Sequence, residues 1–317
     1  MALAQPDLNP AQRQVLDALA ASPRDRPVFD HGLGPELRAR LEDGLGPLVP
    51  VLDTLGIDQL WVSKHKLGSV LGCEVRFLAE EEIGFDGWTV PRARGTVVHR
   101  AVELSMNVRG ETVPAHLVDH ALASLTEVES NGLADWLQAL GELERADLRG
   151  SAINDVCAFL ESWPPLEPRF RPRSESKVRV DVLDGRITLA GKVDLTLGSA
   201  DGMRAGKVLV DLKTGGFSPV HLEDLRFYAL IEAVVRGVPP RKVASHYLES
   251  ARLVPEDVTA PMLRSAAERV IGAVHRWVEL RTGSESAARK TGPVCRWCPV
   301  LSSCPDGQAH LAAADDW

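Results

Sequence analysis

Two short apolar strands, each ending on an aspartate, constrain this chain more than any other feature. Ile187–Val193 runs into Asp194, and Val208–Val210 runs into Asp211, with Lys213 two residues further on. Side chains alternate along a strand, so Asp211 and Lys213 share one side of it. Two carboxylates and an ammonium at the ends of successive strands are costly as plain core. They suit a hard divalent cation held beside a phosphate, because such ions take oxygen ligands and lysine adds a point charge.

The flanking sequence supplies a frame for these strands. The basic stretch PPLEPRFRPRSESKVR at 164–179 leads into alternating segments over Val178–Leu183 and Arg186–Leu197, separated by Asp184-Gly185, a hairpin signal. A third strand is expected over Lys207–Lys213, broken by Thr214-Gly215-Gly216. A helix over Val220–Arg236, a fourth strand over Val243–Leu248 and an amphipathic helix over Pro261–Thr282 follow. Upstream, Ser63 caps a helix over Lys64–Leu71 that ends at Gly72, just before Cys73. A helix over Pro91–Met106 stacks Gly95, His99 and Glu103 at four-residue spacing. Residues 111–163 carry only helical patterns (Pro114–Val128, Leu133–Leu140, Asp147–Trp163), the mark of a helical insertion. Residues before Trp61 read as a surface-packed arm, helical over Pro10–Ala21. Taken alone, His99 fits a hydrogen-bonded core histidine as well as a ligand, and Cys73 fits a small buried side chain as well as a thiolate.

Composition narrows the class. The chain of 317 residues is 44% hydrophobic and 25% charged, as in ordinary globular proteins. No apolar run reaches the ~18 residues of a membrane span, and the N-terminus lacks the basic flank and apolar core of a secretory signal, so a cytoplasmic location is expected. A formal net charge of −8 argues against gripping nucleic acid by bulk charge. It leaves local patches as candidates: Arg169, Arg171, Arg173, Lys177 and Arg179, and Arg226, Arg236, Arg241 and Lys242. No glycine-rich loop ending in GK[ST] occurs, so helicase domains are not part of this sequence. Of five cysteines, Cys295, Cys298 and Cys304 cluster as C-x2-C-x5-C, which in a cytosolic chain reads as metal ligation before disulfides.

Together, Gly95-x3-His99, Gly191-Lys192-Val193-Asp194, Asp211-Leu212-Lys213-Thr214-Gly215 and Asp224-x3-Tyr228 resemble the core of the PD-(D/E)xK nuclease superfamily, in its RecB-like exonuclease branch. The resemblance runs from about Trp61 to Cys304. It implies a restriction-endonuclease-like α/β fold, with a mixed central sheet flanked by helices. The domain plan is then an arm (1–60), the first cysteine and the histidine helix (61–110), a helical insertion (111–163), the nuclease core (164–290) and a cysteine segment (291–317). The resemblance implies that Asp194 and Asp211 hold Mg²⁺ or Mn²⁺, helped by His99 and the Leu212 carbonyl, and that Lys213 orients water or offsets charge. Tyr228 would contact nucleic acid, with Arg226, Arg171, Arg173 and Lys177 beside it. The family usually has glutamine where this chain has Asp224.

Cys73 with Cys295, Cys298 and Cys304 resembles the [4Fe–4S] arrangement of AddB-type nuclease domains, one cysteine before the core and three after it, with Glu74 where proline is usual. Such a site would act as a structural staple, and Zn²⁺ in the same thiolates is the alternative. The implied activity is metal-dependent hydrolysis of DNA by an exonuclease on single strands or duplex ends. Its setting would be repair, recombination or defence, alone or beside a helicase or other partner in trans. Two alternatives stay open: a catalytically inactive nucleic-acid-binding or complex-assembly protein of the same fold, to which the net charge and Asp224 point, and a zinc-stapled nuclease.

Overall fold

A mixed six-stranded sheet runs through the middle of the computed structural model, which describes residues 8–84, 87–108, 112–127 and 132–315. Its strands are β1 (Leu60–Val62), β2 (Arg173–Val182), β3 (Ile187–Leu197), β4 (Val208–Lys213), β5 (Lys242–Tyr247) and β6 (Arg252–Asp257). Strand β3 is the hub. One of its edges is taken by antiparallel β2, from Arg173 opposite Thr196 to Val182 opposite Ile187. Its other edge is shared: parallel β1 pairs with Ile187–Leu189, and antiparallel β4 pairs with Leu195–Leu197. Among the described residues no strand covers that edge at 190–194, so the sheet splits there. Beyond β4 lie parallel β5 and antiparallel β6.

Around the sheet, in chain order, lie α1 (Pro10–Leu19), α2 (Leu33–Leu45), α3 (Val49–Thr54), α4 (Lys64–Val70), α5 (Glu74–Ile83), α6 (Val90–Ser105), α7 (Pro114–Thr126), α8 (Leu133–Ala139), α9 (Glu142–Ser162), α10 (Val220–Arg236), α11 (Ala260–Thr282) and α12 (Pro305–Asp315). On one side Val97, Val102, Leu117, Val156 and Phe159 pack on Leu195, Val208, Val210 and Leu212. On the other, α2, α10 and α11 bring Leu37, Leu41, Ile231 and Val274 against Val180, Leu189 and Leu209. The expected restriction-endonuclease-like architecture is therefore present, with α7, α8 and α9 forming the helical segment before β2.

Several expectations shift. The N-terminal segment is not a surface arm: α2 buries Leu37, Leu41 and Leu45 completely, each worth about 1.5–3 kcal/mol of transfer free energy. Its GLGPE opening reads as punctuation in sequence, yet Gly34 and Pro35 sit inside the first turn of the helix, where the N–H that proline lacks would have no partner within the helix. Strand β2 starts five residues before Val178, at Arg173. Helix α9 starts at Glu142 rather than Asp147. The short β1 and the polar β6 carry little apolar alternation, and Pro255 is tolerated because β6 is an edge strand. The segment after Cys304 forms helix α12. The expected end of one helix, Val128, lies outside the described residues. Among the described residues no helix is long and apolar enough to cross a membrane.

Candidate active site

The split in the sheet is where the polar side chains gather. Ser63 turns the chain from β1 into α4, its hydroxyl accepting the Lys66 N–H at 3.3 Å. This makes Lys64 the first residue of the helix. Its Nζ lies 2.9 Å from Asp211 Oδ1 and 3.7 Å from Asp224 Oδ2. Lys213 Nζ lies 2.7 Å from Asp211 Oδ2 and 3.9 Å from Asp224 Oδ2. Asp211, 2% exposed, is thus held between two ammonium groups. Burial alone would raise its pKa, but the Lys64 and Lys213 charges outweigh burial and hold it below the usual carboxylate range. Burial likewise works against the charge of Lys64, and Asp211, then Tyr228 and Asp224, overcome it and raise its pKa. For Asp224 the balance goes the other way: burial raises its pKa, and the two lysines only partly offset it.

A second cluster sits beside this one. The register that pairs Ser174 with Leu195 and Ser176 with Val193 sets Glu175 opposite Asp194. Glu175 has a left-handed backbone, φ 49°, a conformation that costs a non-glycine residue about 1–2 kcal/mol. Helix α6 brings His99 over both acids: Nδ1 is 3.3 Å from Asp194 Oδ1 and 3.8 Å from Glu175 Oε1. Its Nε2 donates to the Leu212 carbonyl at 3.1 Å, and Asp194 Oδ2 accepts the Leu212 N–H at 2.7 Å. Lys192 forms an ion pair with Glu175. One ligand atom each from His99, Glu175 and Asp194 lies within 4.8 Å of the other two. Burial disfavours charge on His99, yet Asp194 and Glu175 prevail and raise its pKa to about 10. Two carboxylates and an imidazole arranged around a point where positive charge is favoured form a donor set able to hold a divalent cation.

The expected ligand set is therefore divided. The structure gathers His99 and Asp194 with Glu175, and keeps Asp211 with Lys64 and Lys213. The Leu212 carbonyl accepts the His99 N–H. Glu175 and Lys64 are the residues that sequence reasoning missed.

Of the expected nucleic-acid contacts, Tyr228 is 2% exposed and lies beneath Lys64, its ring centroid 5.1 Å from Nζ. A Cβ on Gly191 would overlap Tyr228 Cε1 and stand 3.0 Å from Cζ and the hydroxyl, so only glycine lets the ring lie there. This placement corrects the contact role: buried in the core, the ring supports Lys64 instead. Arg226 is held by Glu256 and by Glu223 at 2.6 Å, and Arg171 donates to Ser199 Oγ at 2.5 Å. Arg173 and Lys177 are exposed on β2, and Arg241 is buried away from the site. A cleft of about 590 Å³ opens at His99, rimmed by Arg92, Arg100 and Lys192. The spacing of Arg92, Thr96, His99 and Arg100, which puts them on one face of a helix, was the available signal for this rim.

Cys73, Cys295, Cys298 and Cys304 line one small cleft, with Cys157 apart on α9. The Gly292 and Gly307 N–H groups point at Cys295 Sγ and Cys304 Sγ, each at 3.4 Å. A Cβ on Gly307 would stand 3.2 Å from Leu301 Cδ1, 3.4 Å from Cys304 Sγ and 3.7 Å from Cys295 Sγ, so the backbone there packs closely against the thiols. The thiols are not drawn into a tight set, since no three sulfurs lie within 4.8 Å of one another. Tetrahedral Zn²⁺ with bonds of ~2.3 Å needs sulfurs roughly 3.8 Å apart. Glu74 grips Arg276 through both oxygens at 2.7 Å and accepts the Ala288 N–H at 2.7 Å. It ties the start of α5 to the segment leading into the cysteine triplet.

Comparison with known proteins gives one family. A family model described as the PD-(D/E)XK nuclease superfamily matches residues 62–305. No curated protein matches the sequence. Among solved structures, that of a candidate exonuclease from Eubacterium rectale is similar, at 11% identity and a TM-score of 0.46, over 81% of this chain and 89% of that one.

Proposed function

Since this chain belongs to the PD-(D/E)XK nuclease superfamily, we propose that it hydrolyses DNA phosphodiester bonds with Mg²⁺ or Mn²⁺, as an exonuclease on single strands or duplex ends. The observation that carries this reading is the His99–Glu175–Asp194 trio beside the Lys64–Asp211–Lys213 group. A divalent ion held by the trio supplies Lewis acidity and lowers the pKa of bound water. Around it, His99 fixes its ring on the Leu212 carbonyl, and Asp194 ties that ring to β4. Lys213 and Lys64 offer fixed positive charge where the phosphate gains negative charge. Arg92, Arg100 and Lys192 would receive the nucleic-acid backbone along the cleft. Incubation with 5′- and 3′-labelled single- and double-stranded DNA tests the reading. Stepwise products from one end support it, and no cleavage with either metal favours an inactive binding protein.

The metal site carries its own pH signature. His99 must be neutral to ligate, and its pKa of about 10 without metal means an ion has to displace a proton at pH 7. Apparent Mn²⁺ affinity is expected to rise about tenfold per pH unit from pH 7 and to level off near pH 10. His99→Gln should flatten this slope. Titrations of Mn²⁺ at pH 7, 8 and 9 read it directly.

Lys64 accounts for Asp224. An acid where the family has an amide would repel phosphate, but a half-buried lysine beside it restores the balance. Lys64→Met is expected to lower kcat by about 10- to 100-fold. Adding Asp224→Gln should recover part of that loss, because the orphaned acid is then gone. Additive losses would argue against compensation.

We also assign the chain to the RecB-like, AddB-type branch, with Cys73, Cys295, Cys298 and Cys304 closing on a [4Fe–4S] cluster. One cleft shared by four thiols and two N–H groups aimed at sulfur support a four-thiolate site, and the order of one cysteine before the core and three after it favours the cluster over zinc. Protein purified without oxygen should be brown, and Cys73→Ala should remove the colour. A colourless, zinc-loaded sample would overturn the cluster.

A further inference from the structure

The nuclease reading leaves one cavity unused. It has a volume of about 230 Å³ and lies past Val208, the far end of β4 from Lys213. Three residues of strand, or roughly 10 Å, separate Val208 from Asp211. Leu16, Leu166 and Leu197 give it apolar walls, and Arg26, Arg241 and Trp163 line it as well.

Three polar atoms there are unpartnered. Arg26 Nε, Arg241 Nε and Trp163 Nε1 are all buried without a hydrogen bond. Arg241 is 8% exposed and Trp163 2%. Arg241 does give one terminal N–H to the Leu19 carbonyl. Neither arginine makes an ion pair among the described residues. Asp257, whose charge reaches Arg241, is itself held by Lys242 at 2.6 Å. Burial, and then the charge of Arg26, both work against the charge on Arg241.

A buried guanidinium, Arg241, beside a half-buried one, Arg26, with no carboxylate among the residues that line the cavity, is costly. Burying an uncompensated charge is unfavourable, and a second like charge adds repulsion. A lysine could escape by losing its proton, but a guanidinium cannot. What relieves the site is an anion from outside the chain. The planar forks of the arginines match the two oxygens of a carboxylate or phosphate, and the indole N–H adds a third donor. The volume equals the share of about eight waters and falls below the roughly 300–1,000 Å³ of pockets for larger ligands. A nucleotide is too large, and a free inorganic ion would leave the apolar walls bare.

We propose that this cavity binds a small organic oxyanion, a carboxylate or phosphate ester on a short apolar body, clamped between Arg26, Arg241 and Trp163. The full-length protein is titrated by calorimetry with sodium hexanoate, phenyl phosphate, inorganic phosphate and 1-hexanol. Saturable binding is expected for hexanoate or phenyl phosphate, and whichever binds identifies the head group. Inorganic phosphate and hexanol should bind at least tenfold more weakly, since each offers only half of the recognition. Arg241→Met should weaken the organic anion at least tenfold. Arg26→Met, at a less buried position, repeats the test if Arg241→Met does not fold. No binding of either organic anion, equal binding of hexanol, or unchanged affinity in Arg26→Met would overturn the assignment.

Discussion

Asp194→Asn is expected to reduce DNA cleavage by at least about a thousandfold, equivalent to about 4 kcal/mol of transition-state stabilisation. The substitution separates charge from geometry. Asparagine keeps an oxygen that can accept the Leu212 N–H, the bond by which Asp194 fastens β3 to β4 at 2.7 Å. What it loses is the anionic oxygen 3.3 Å from His99 Nδ1. The variant should therefore fold and melt much like the parent while losing metal affinity and turnover together. The pKa of His99 should fall as well, because Asp194 is the main charge that raises it; NMR titration of the imidazole would record the change. Asp194→Ala would mix these effects by also leaving the Leu212 N–H without its partner. Wild-type turnover by Asp194→Asn with both Mg²⁺ and Mn²⁺ would remove the trio from the mechanism.

Gly191→Ala is expected to destabilise the protein by about 1–3 kcal/mol, the range for overpacking a filled core. The added methyl would overlap Tyr228 Cε1. The ring has nowhere to go, since Tyr228 sits in α10 among the fully buried Ala229, Leu230 and Ile231. Activity should fall too, because that ring lies beneath Lys64. Urea denaturation gives the stability change. Tyr228→Leu in the same background should restore part of it, and a double-mutant cycle would give a coupling energy well away from zero. Independent, additive effects would mean that the close approach is not what requires glycine.

The parts of this molecule that sequence reveals are those written in local chemistry. Helix α10 runs from Val220 to Arg236 as its apolar pattern predicts, because Pro219 and Gly237 punctuate it on either side. Strands β3 and β4 are equally plain, since apolar runs ending in acids leave few other readings. Glu175 was hidden because it lies in a polar, arginine-rich stretch, and its role depends on a left-handed backbone and on the register with β3. Lys64 was hidden because only the split between β1 and β4 carries the first residue of α4 to Asp211. Asp211 shows the limit from the other side: the D-x-K spacing makes it conspicuous, but not which of its neighbours neutralise it.

Helix α2 also sets the order in which this protein can be made. Its leucine stripe is covered by α10 and α11, and Arg264 clasps Glu36 across 228 residues of chain. At a synthesis rate of about 5–20 residues per second, α2 leaves the ribosome roughly 10–50 s before its partner exists. During that interval Leu37, Leu41 and Leu45 have no native surface to meet. Those leucines wait for α10 and α11 to follow, and slower translation would lengthen the interval.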